Sequence, residues 1–159
     1  MAEINLMDQY PQSKRVVEAR SEAVSDEVRR ISRQYGKDYF DGDRLYGYGG
    51  YNYHPRFWQP TVRRFRDHYQ LQPDAHILDI GCAKGFMLHD FQELMPAATV
   101  AGLDISEYAI TNCMEDMRPY LQVGNAKELP YASKSFDLVT AINTIHNLPL
   151  DECKQALRE

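Results

Sequence analysis

A short apolar strand that ends in a glycine-containing turn constrains the fold of this chain more than any other feature. The strand is residues 77–80, apolar apart from Asp79, and the sequence Gly-Cys-Ala-Lys-Gly follows directly as the glycine turn (residues 81–85). Over residues 86–95 the apolar spacing becomes helical, and a second apolar strand is expected at 100–105. A strand, a turn, a helix and a second strand in this order predict a parallel βαβ unit.

The same alternation continues along the rest of the sequence. Ser106 can cap a helix that is expected to run to about Met117. Short strands are expected at residues 121–123 and 136–142, and Asp151 is expected to open a last helix. This pattern predicts an α/β fold with a doubly wound parallel sheet.

The first 73 residues are expected to form a helical cap. Apolar side chains at positions 24, 28, 31 and 35 recur at helical spacing and end before Gly36, and a second helix is expected to start near Pro60. Between them, residues 41–53 are rich in glycine and tyrosine and are expected to form a long loop. No shift in composition divides the chain, so we expect one domain over 1–159, with the cap at 1–73 and the core at 74–159.

The glycine turn lies where open α/β sheets bind their ligands, at the carboxyl end of a strand. A dinucleotide site needs G-x-G-x-x-G, but from Gly81 that frame reads Gly81, Ala83 and Phe86. A phosphate loop of the G-x-x-x-x-G-K-[ST] type does not fit either. Asp79 would repel a pyrophosphate but suits a cation, such as the ammonium or sulfonium of S-adenosylmethionine.

Asp104 supplies a second acid at the end of the second strand, 19 positions after Gly85. In nucleotide-binding α/β folds, an acid about 20 residues beyond the glycines accepts hydrogen bonds from ribose hydroxyls. A carboxylate can accept from both hydroxyls at once. The alternative is an aspartate that simply ends a strand before a serine-capped helix.

Four segments together resemble the class I S-adenosylmethionine-dependent methyltransferases: residues 77–85, 100–106, 124–131 and 135–139. Their order and spacing are typical of that family, and the likeness covers about residues 74–150. The family sheet is Rossmann-like, with seven strands in the order 3-2-1-4-5-7-6. The resemblance therefore implies the order 3-2-1-4 here, with the C-terminal strands missing. The fourth strand would then be an edge that pairs with a second copy or is covered by the N-terminal helices.

The resemblance also implies S-adenosyl-L-methionine as the cofactor. The expected cofactor-binding residues are Asp79, Gly81, Cys82, Ala83, Gly85, Asp104, Ile105, Asn125, Ala126 and Asn143. The glycine turn would cradle the methionine part, Asp104 would hold the ribose, and Ile105 would pack on the adenine. Two positions depart from the family pattern, because Ala83 replaces a glycine and Asn125 replaces an aspartate. An amide can still hydrogen-bond to adenine.

His146 is the candidate catalytic base. Methyl transfer from a sulfonium needs the acceptor held in line and water excluded, and a base can take a proton from the acceptor. His146 follows the fourth strand, where the resembling family places its acceptor. The alternative is a structural loop histidine bonded to the backbone.

Three tyrosines, Tyr46, Tyr48 and Tyr51, alternate with glycines in what we call the aromatic segment (residues 46–53). One interpretation is a mobile lid whose rings close over the cofactor or the acceptor. The alternative is that these rings simply cover the top of the sheet.

Charge and cysteine content narrow the expected partners. The net charge of −5 argues against bulk attraction to nucleic acid. The three cysteines form no C-x-x-C pair, so neither a metal site nor a disulfide framework is expected, and reduced thiols fit a cytoplasmic protein. No apolar run approaches the ~20 residues that span a bilayer, and residues 1–11 lack the pattern of a secretion signal.

The favoured function is methyl transfer to a small-molecule acceptor. One alternative is a binding module or inactive fragment that keeps the cofactor site but no chemistry. Another is a nicotinamide-dependent oxidoreductase, which the failed glycine frame and Asp79 both disfavour.

Overall fold

The computed structural model describes residues 4–11 and 24–159. Its sheet consists of the strands β1 (His76–Ile80), β2 (Thr99–Asp104), β3 (Leu121–Val123) and β4 (Leu138–Thr140). The strand order is β3-β2-β1-β4, and each neighbouring pair is parallel. The predicted α/β class and the order 3-2-1-4 are confirmed.

Helices precede the sheet and alternate with its strands. The α-helices of the described residues are α1 (Asp26–Ser32), α2 (Lys37–Asp41), α3 (Pro55–Tyr69), α4 (Phe86–Leu94), α5 (Glu107–Thr111) and α6 (Leu150–Ala156). Short 3₁₀ turns occupy Arg118–Tyr120 and Ile145–Asn147. Within this part of the chain, no helix has both the length and the apolar character needed to cross a membrane.

The larger core lies on one face of the sheet. There, Val62 and Phe65 of α3 pack with Leu88 and Phe91 of α4 over Ile77 of β1. A smaller cluster on the other face joins Leu78 and Ile80 to Ala126 and Ala156. With apolar side chains on both faces, β1 is the buried centre of the sheet, as expected for a parallel α/β fold.

Helix α3 begins at Pro55, so the expectation of a start near Pro60 was wrong. Pro55 occupies the first turn, where a missing N–H costs little, and the ring of His54 accepts a hydrogen bond from the Arg56 N–H at 3.2 Å. Pro60 lies inside the helix, where it has no N–H to donate to the carbonyl four residues earlier. The short helix α2, which no sequence pattern indicated, follows Gly36.

Helix α5 ends at Thr111 rather than near Met117. The next residue, Asn112, leaves helical geometry, and its side-chain amide bonds back to the carbonyl of Tyr108 at 2.8 Å. Asparagine competes with the helix through such local bonds. Residues 112–117 therefore turn back, and Met117 reaches the core.

Strand β4 is shorter than the expected 136–142, because it pairs only with residues 77–79 of β1. It lies at an edge of the described sheet, with Val139 52% exposed. The expected homodimer through this edge stays a prediction.

Candidate functional site

The carboxyl ends of the central strands open onto a cavity of about 980 Å³. This volume is at the upper end of the range usual for small-molecule sites. Most of the residues expected from the sequence line it: Asp79, Gly81, Cys82, Ala83, Asp104, Ile105, Asn125, Ala126, Asn143 and His146. The fold thus brings four separate segments of the chain around one space.

Asp79 is a buried acid at the end of β1. The register places Thr140 of β4 opposite it, and the Thr140 hydroxyl donates to Asp79 Oδ1 at 2.8 Å. Burial raises the pKa of Asp79 to about 7; the Thr140 hydrogen bond opposes this rise and the charge of Asp104 adds to it. A ligand cation here would favour the ionised form and lower that pKa.

Asp104 fixes the position of the glycine turn. Its Oδ2 accepts the Ala83 N–H and its Oδ1 accepts the Ser106 N–H, both at 2.8 Å. Burial raises the pKa of Asp104, while these N–H groups act in the opposite direction. Each oxygen keeps a lone pair for a ligand hydroxyl. Asp104 therefore both ends its strand and presents acceptors to the cavity.

The two glycines of the turn have different surroundings that exclude a larger side chain. Both have positive φ, 81° at Gly81 and 82° at Gly85, a conformation that glycine adopts without steric cost. A Cβ at Gly81 would collide with the Thr144 side chain beside the cavity. A Cβ at Gly85 would lie 2.8 Å from Leu121 in the core. Gly85 is absent from the described lining, so its expected direct contact with cofactor is not supported.

The rim after β2 and β3 presents one apolar and one polar side chain. Ile105 lines the cavity and is 59% exposed, so a flat ring could cover its free surface. Asn125 uses its Oδ1 to accept the Lys127 N–H at 3.0 Å. This bond leaves the amide N–H groups of Asn125 as donors for a ligand.

The residues that follow β4 complete the opposite rim. Asn143 has a φ of 55°, a left-handed conformation that asparagine adopts more readily than most residues. His146 lines the cavity and is exposed. Within residues 4–11 and 24–159 its imidazole makes no hydrogen bond, so the backbone-bonded alternative is not observed there. A catalytic role for His146 stays a prediction.

The aromatic segment forms part of the cavity wall. Tyr48 and Tyr51 line the cavity with ring centroids 4.3 Å apart, and Tyr51 stacks on Phe86 at 4.8 Å. Tyr46 is absent from the described lining, and its carbonyl accepts the Ser32 hydroxyl at 2.6 Å. Tyr46 therefore anchors the segment to α1, which does not support the expected lid contact. Closing motion of the segment stays a prediction.

A family model described as a methyltransferase domain matches residues 77–159, just over half of the chain. The chain belongs to the methyltransferase domain family. The predicted relationship to class I S-adenosylmethionine-dependent methyltransferases is thereby confirmed.

The similarity to curated relatives covers more of this chain than the match to the methyltransferase domain does. A demethylmenaquinone methyltransferase of Symbiobacterium thermophilum is 33% identical over 103 residues, covering 58% of this chain and 41% of the relative. One from Listeria welshimeri is 28% identical over 151 residues, covering 91% of this chain and 58% of the relative. The chain thus spans about half the length of these relatives.

A solved structure shares the fold. The amino pentose methyltransferase CalS10 of Micromonospora echinaspora, described as SAM-bound, has a TM-score of 0.54 and 24% identity, covering 63% of this chain and 43% of its own. At this identity the likeness supports the Rossmann-like α/β architecture alone.

Several wall residues of the methyltransferase domain cavity were missed by sequence reasoning. They come from the N-terminal region: Met7, Tyr10, Pro11, Arg33, Tyr35, Tyr39 and Phe40. Tyr10 and Trp58 pack with ring centroids 4.8 Å apart, although 48 positions separate them in sequence. Thr140 was missed as well, since only the β1–β4 register reveals it. No local pattern could have identified these residues.

Proposed function

We propose that this chain binds S-adenosylmethionine and supports transfer of its methyl group to a small-molecule acceptor. The observation that carries the proposal is the placement of two buried acids, Asp79 and Asp104, on either side of one glycine turn. Asp79 suits the cofactor ammonium, and Asp104 suits the ribose hydroxyls. Membership of the methyltransferase domain family supports the same assignment.

Calorimetry with S-adenosylmethionine, S-adenosylhomocysteine and NAD tests cofactor binding. Asp104→Ala should weaken the binding of S-adenosylmethionine and of S-adenosylhomocysteine by about 2 kcal/mol, or about 30-fold, because a charge-assisted pair of hydrogen bonds is lost. Asp74→Ala is the matched control, since Asp74 is exposed just before β1, at the opposite end of the sheet. Comparable binding of NAD, or unchanged affinity in a folded Asp104→Ala variant, would overturn the assignment.

The acceptor is inferred to be a small molecule with a flat apolar ring. Met7, Tyr10, Trp58 and Ile142 line the cavity with apolar or aromatic surface, which stacks well on such a ring. The relatives named demethylmenaquinone methyltransferases agree with this class. His146 would take the proton from an acceptor hydroxyl as the methyl is transferred.

Release of S-adenosylhomocysteine with a panel of phenols and naphthols measures turnover. His146→Ala should lower turnover by about 100-fold, because a positioned general base is lost, whereas His68→Ala, an exposed change on α3 away from the cavity lining, should leave turnover unchanged. Unchanged turnover in a folded His146→Ala variant would refute the role of His146 as the base. Cofactor binding without turnover of any acceptor, in this chain and in a longer form, would favour the non-catalytic module.

A further inference from the structure

Lys84, in the glycine turn, is buried although it carries a charge. Only 8% of the residue is exposed. Its Nζ donates to Asp41 Oδ2 at 2.7 Å, to Asp41 Oδ1 at 3.0 Å and to the Tyr51 carbonyl at 3.0 Å. An ammonium has three N–H donors, so all of them are used in this site.

Asp41, at the end of α2, gathers two further donors. The Tyr51 N–H reaches Oδ1 at 2.9 Å, and the Tyr108 hydroxyl reaches Oδ2 at 2.8 Å. Burial opposes ionisation of Asp41, but the hydrogen bonds from Lys84, Tyr51 and Tyr108 outweigh it and lower its pKa. The carboxylate is therefore charged at neutral pH and joins α2, the aromatic segment, the glycine turn and α5.

This network supports the wall that the aromatic segment contributes to the cavity. Tyr51 is held at its backbone N–H and its carbonyl, while its ring stacks on Phe86 and lies beside Tyr48. Neither Lys84 nor Asp41 is among the described residues that line the cavity. The ion pair can thus act on a ligand by fixing the wall rather than by lining the cavity itself.

We propose that Lys84 and Asp41 are positioning residues that hold the aromatic segment against the glycine turn and thereby slow release of the bound cofactor. The inference rests on the proposed function. If Asp41 is removed, the Lys84 charge is left buried without its counter-ion, which is strongly unfavourable. If Lys84 is removed, the partly buried Asp41 carboxylate loses its ion-pair partner. The segment then separates from the turn so that water can reach the remaining charge, and the wall over the ligand opens.

The release rate of S-adenosylhomocysteine tests this proposal. Trp58 is the single tryptophan of the chain and lines the cavity, so its fluorescence can follow dissociation in a stopped-flow experiment. Lys84→Met and Asp41→Asn should each accelerate release about tenfold. The double variant should be no faster than the faster single one, because the two residues act as one unit.

Two further variants separate positioning from general stability. Lys154→Met makes the same change in an exposed pair with Asp151 on α6 and should leave the release rate unchanged. Tyr108→Phe removes one bond to Asp41 and keeps the ring, so it should fold even where Lys84→Met does not. We expect Tyr108→Phe to accelerate release by a smaller factor than Asp41→Asn.

Hydrogen exchange of the ligand-free chain keeps this test distinct from the proposed function. The amides of Tyr48, Gly50 and Tyr51 bond to Tyr39, Phe40 and Asp41, and they should exchange faster in Asp41→Asn but not in Lys154→Met. If the wild type fails to bind S-adenosylhomocysteine, the proposed function fails while the exchange result still tests the contact. The positioning role would be overturned by the following result. The wild type binds S-adenosylhomocysteine, while folded Lys84→Met, Asp41→Asn and Tyr108→Phe all show unchanged release rates and unchanged amide exchange.

Discussion

Replacing Asp79 with asparagine should stabilise the ligand-free chain at alkaline pH while weakening its binding of the cofactor. Asp79 is buried and its described partner is the neutral Thr140 hydroxyl, so ionisation costs free energy. Asparagine keeps an Oδ1 that can accept the Thr140 hydrogen bond, and it carries no charge. Asp79→Asn therefore imitates the protonated acid at every pH.

The size of this effect follows from the pKa of Asp79. Its value of about 7 in the folded chain, against the ordinary 3.8, means that the folded state binds the proton more tightly. Stability from this group is fully present below pH 3.8 and is lost as the pH rises through about 7. The loss is about 4 kcal/mol over that window, of which about 3 kcal/mol falls between pH 5 and pH 8.

Urea unfolding of wild type and Asp79→Asn at several pH values measures this difference directly, because every other group titrates in both proteins. The variant's advantage should grow by about 3 kcal/mol from pH 5 to pH 8. Its affinity for S-adenosylhomocysteine should fall at pH 8, where wild-type Asp79 is ionised and can attract the ligand ammonium. A constant stability difference across this range would refute the reasoning that Asp79 is a desolvated acid.

Two further changes test packing around the site by urea unfolding. Gly85→Ala should lower the free energy of unfolding by about 2–3 kcal/mol, because the alanine would take a left-handed conformation and contact core side chains closely. Gly36→Ala, at a helix N-cap with negative φ and open space, should cost about 1 kcal/mol or less. Equal losses of stability in Gly85→Ala and Gly36→Ala would argue against a packing role for Gly85. Tyr53→Phe removes a 2.6 Å hydrogen bond to buried Asp90 and should cost about 1–3 kcal/mol, whereas Tyr46→Phe should change little. A loss of stability in Tyr46→Phe but not in Tyr53→Phe would contradict the role of the Tyr53 hydrogen bond.

The two acids of the site could be predicted from sequence because the information is local. Asp79 and Asp104 each end an apolar strand, and the short connections between parallel strands place those ends at one edge of the sheet. The sequence therefore determined the strand order, by its likeness to a family, and the position of the candidate site. It also determined that a glycine turn joins β1 to α4.

Only the tertiary structure decided what surrounds that site. Tyr10 meets Trp58, and Lys84 meets Asp41, across dozens of residues that carry no pairing signal. Gly85 lies beside Leu121 and Met117, which come from a distant segment of the chain, and its contact with the cofactor stays a prediction. The periodicity of a chain reports which face of an element is apolar, but not which partner covers it. Side-chain packing between distant elements settles that choice, and with it the walls of this cavity.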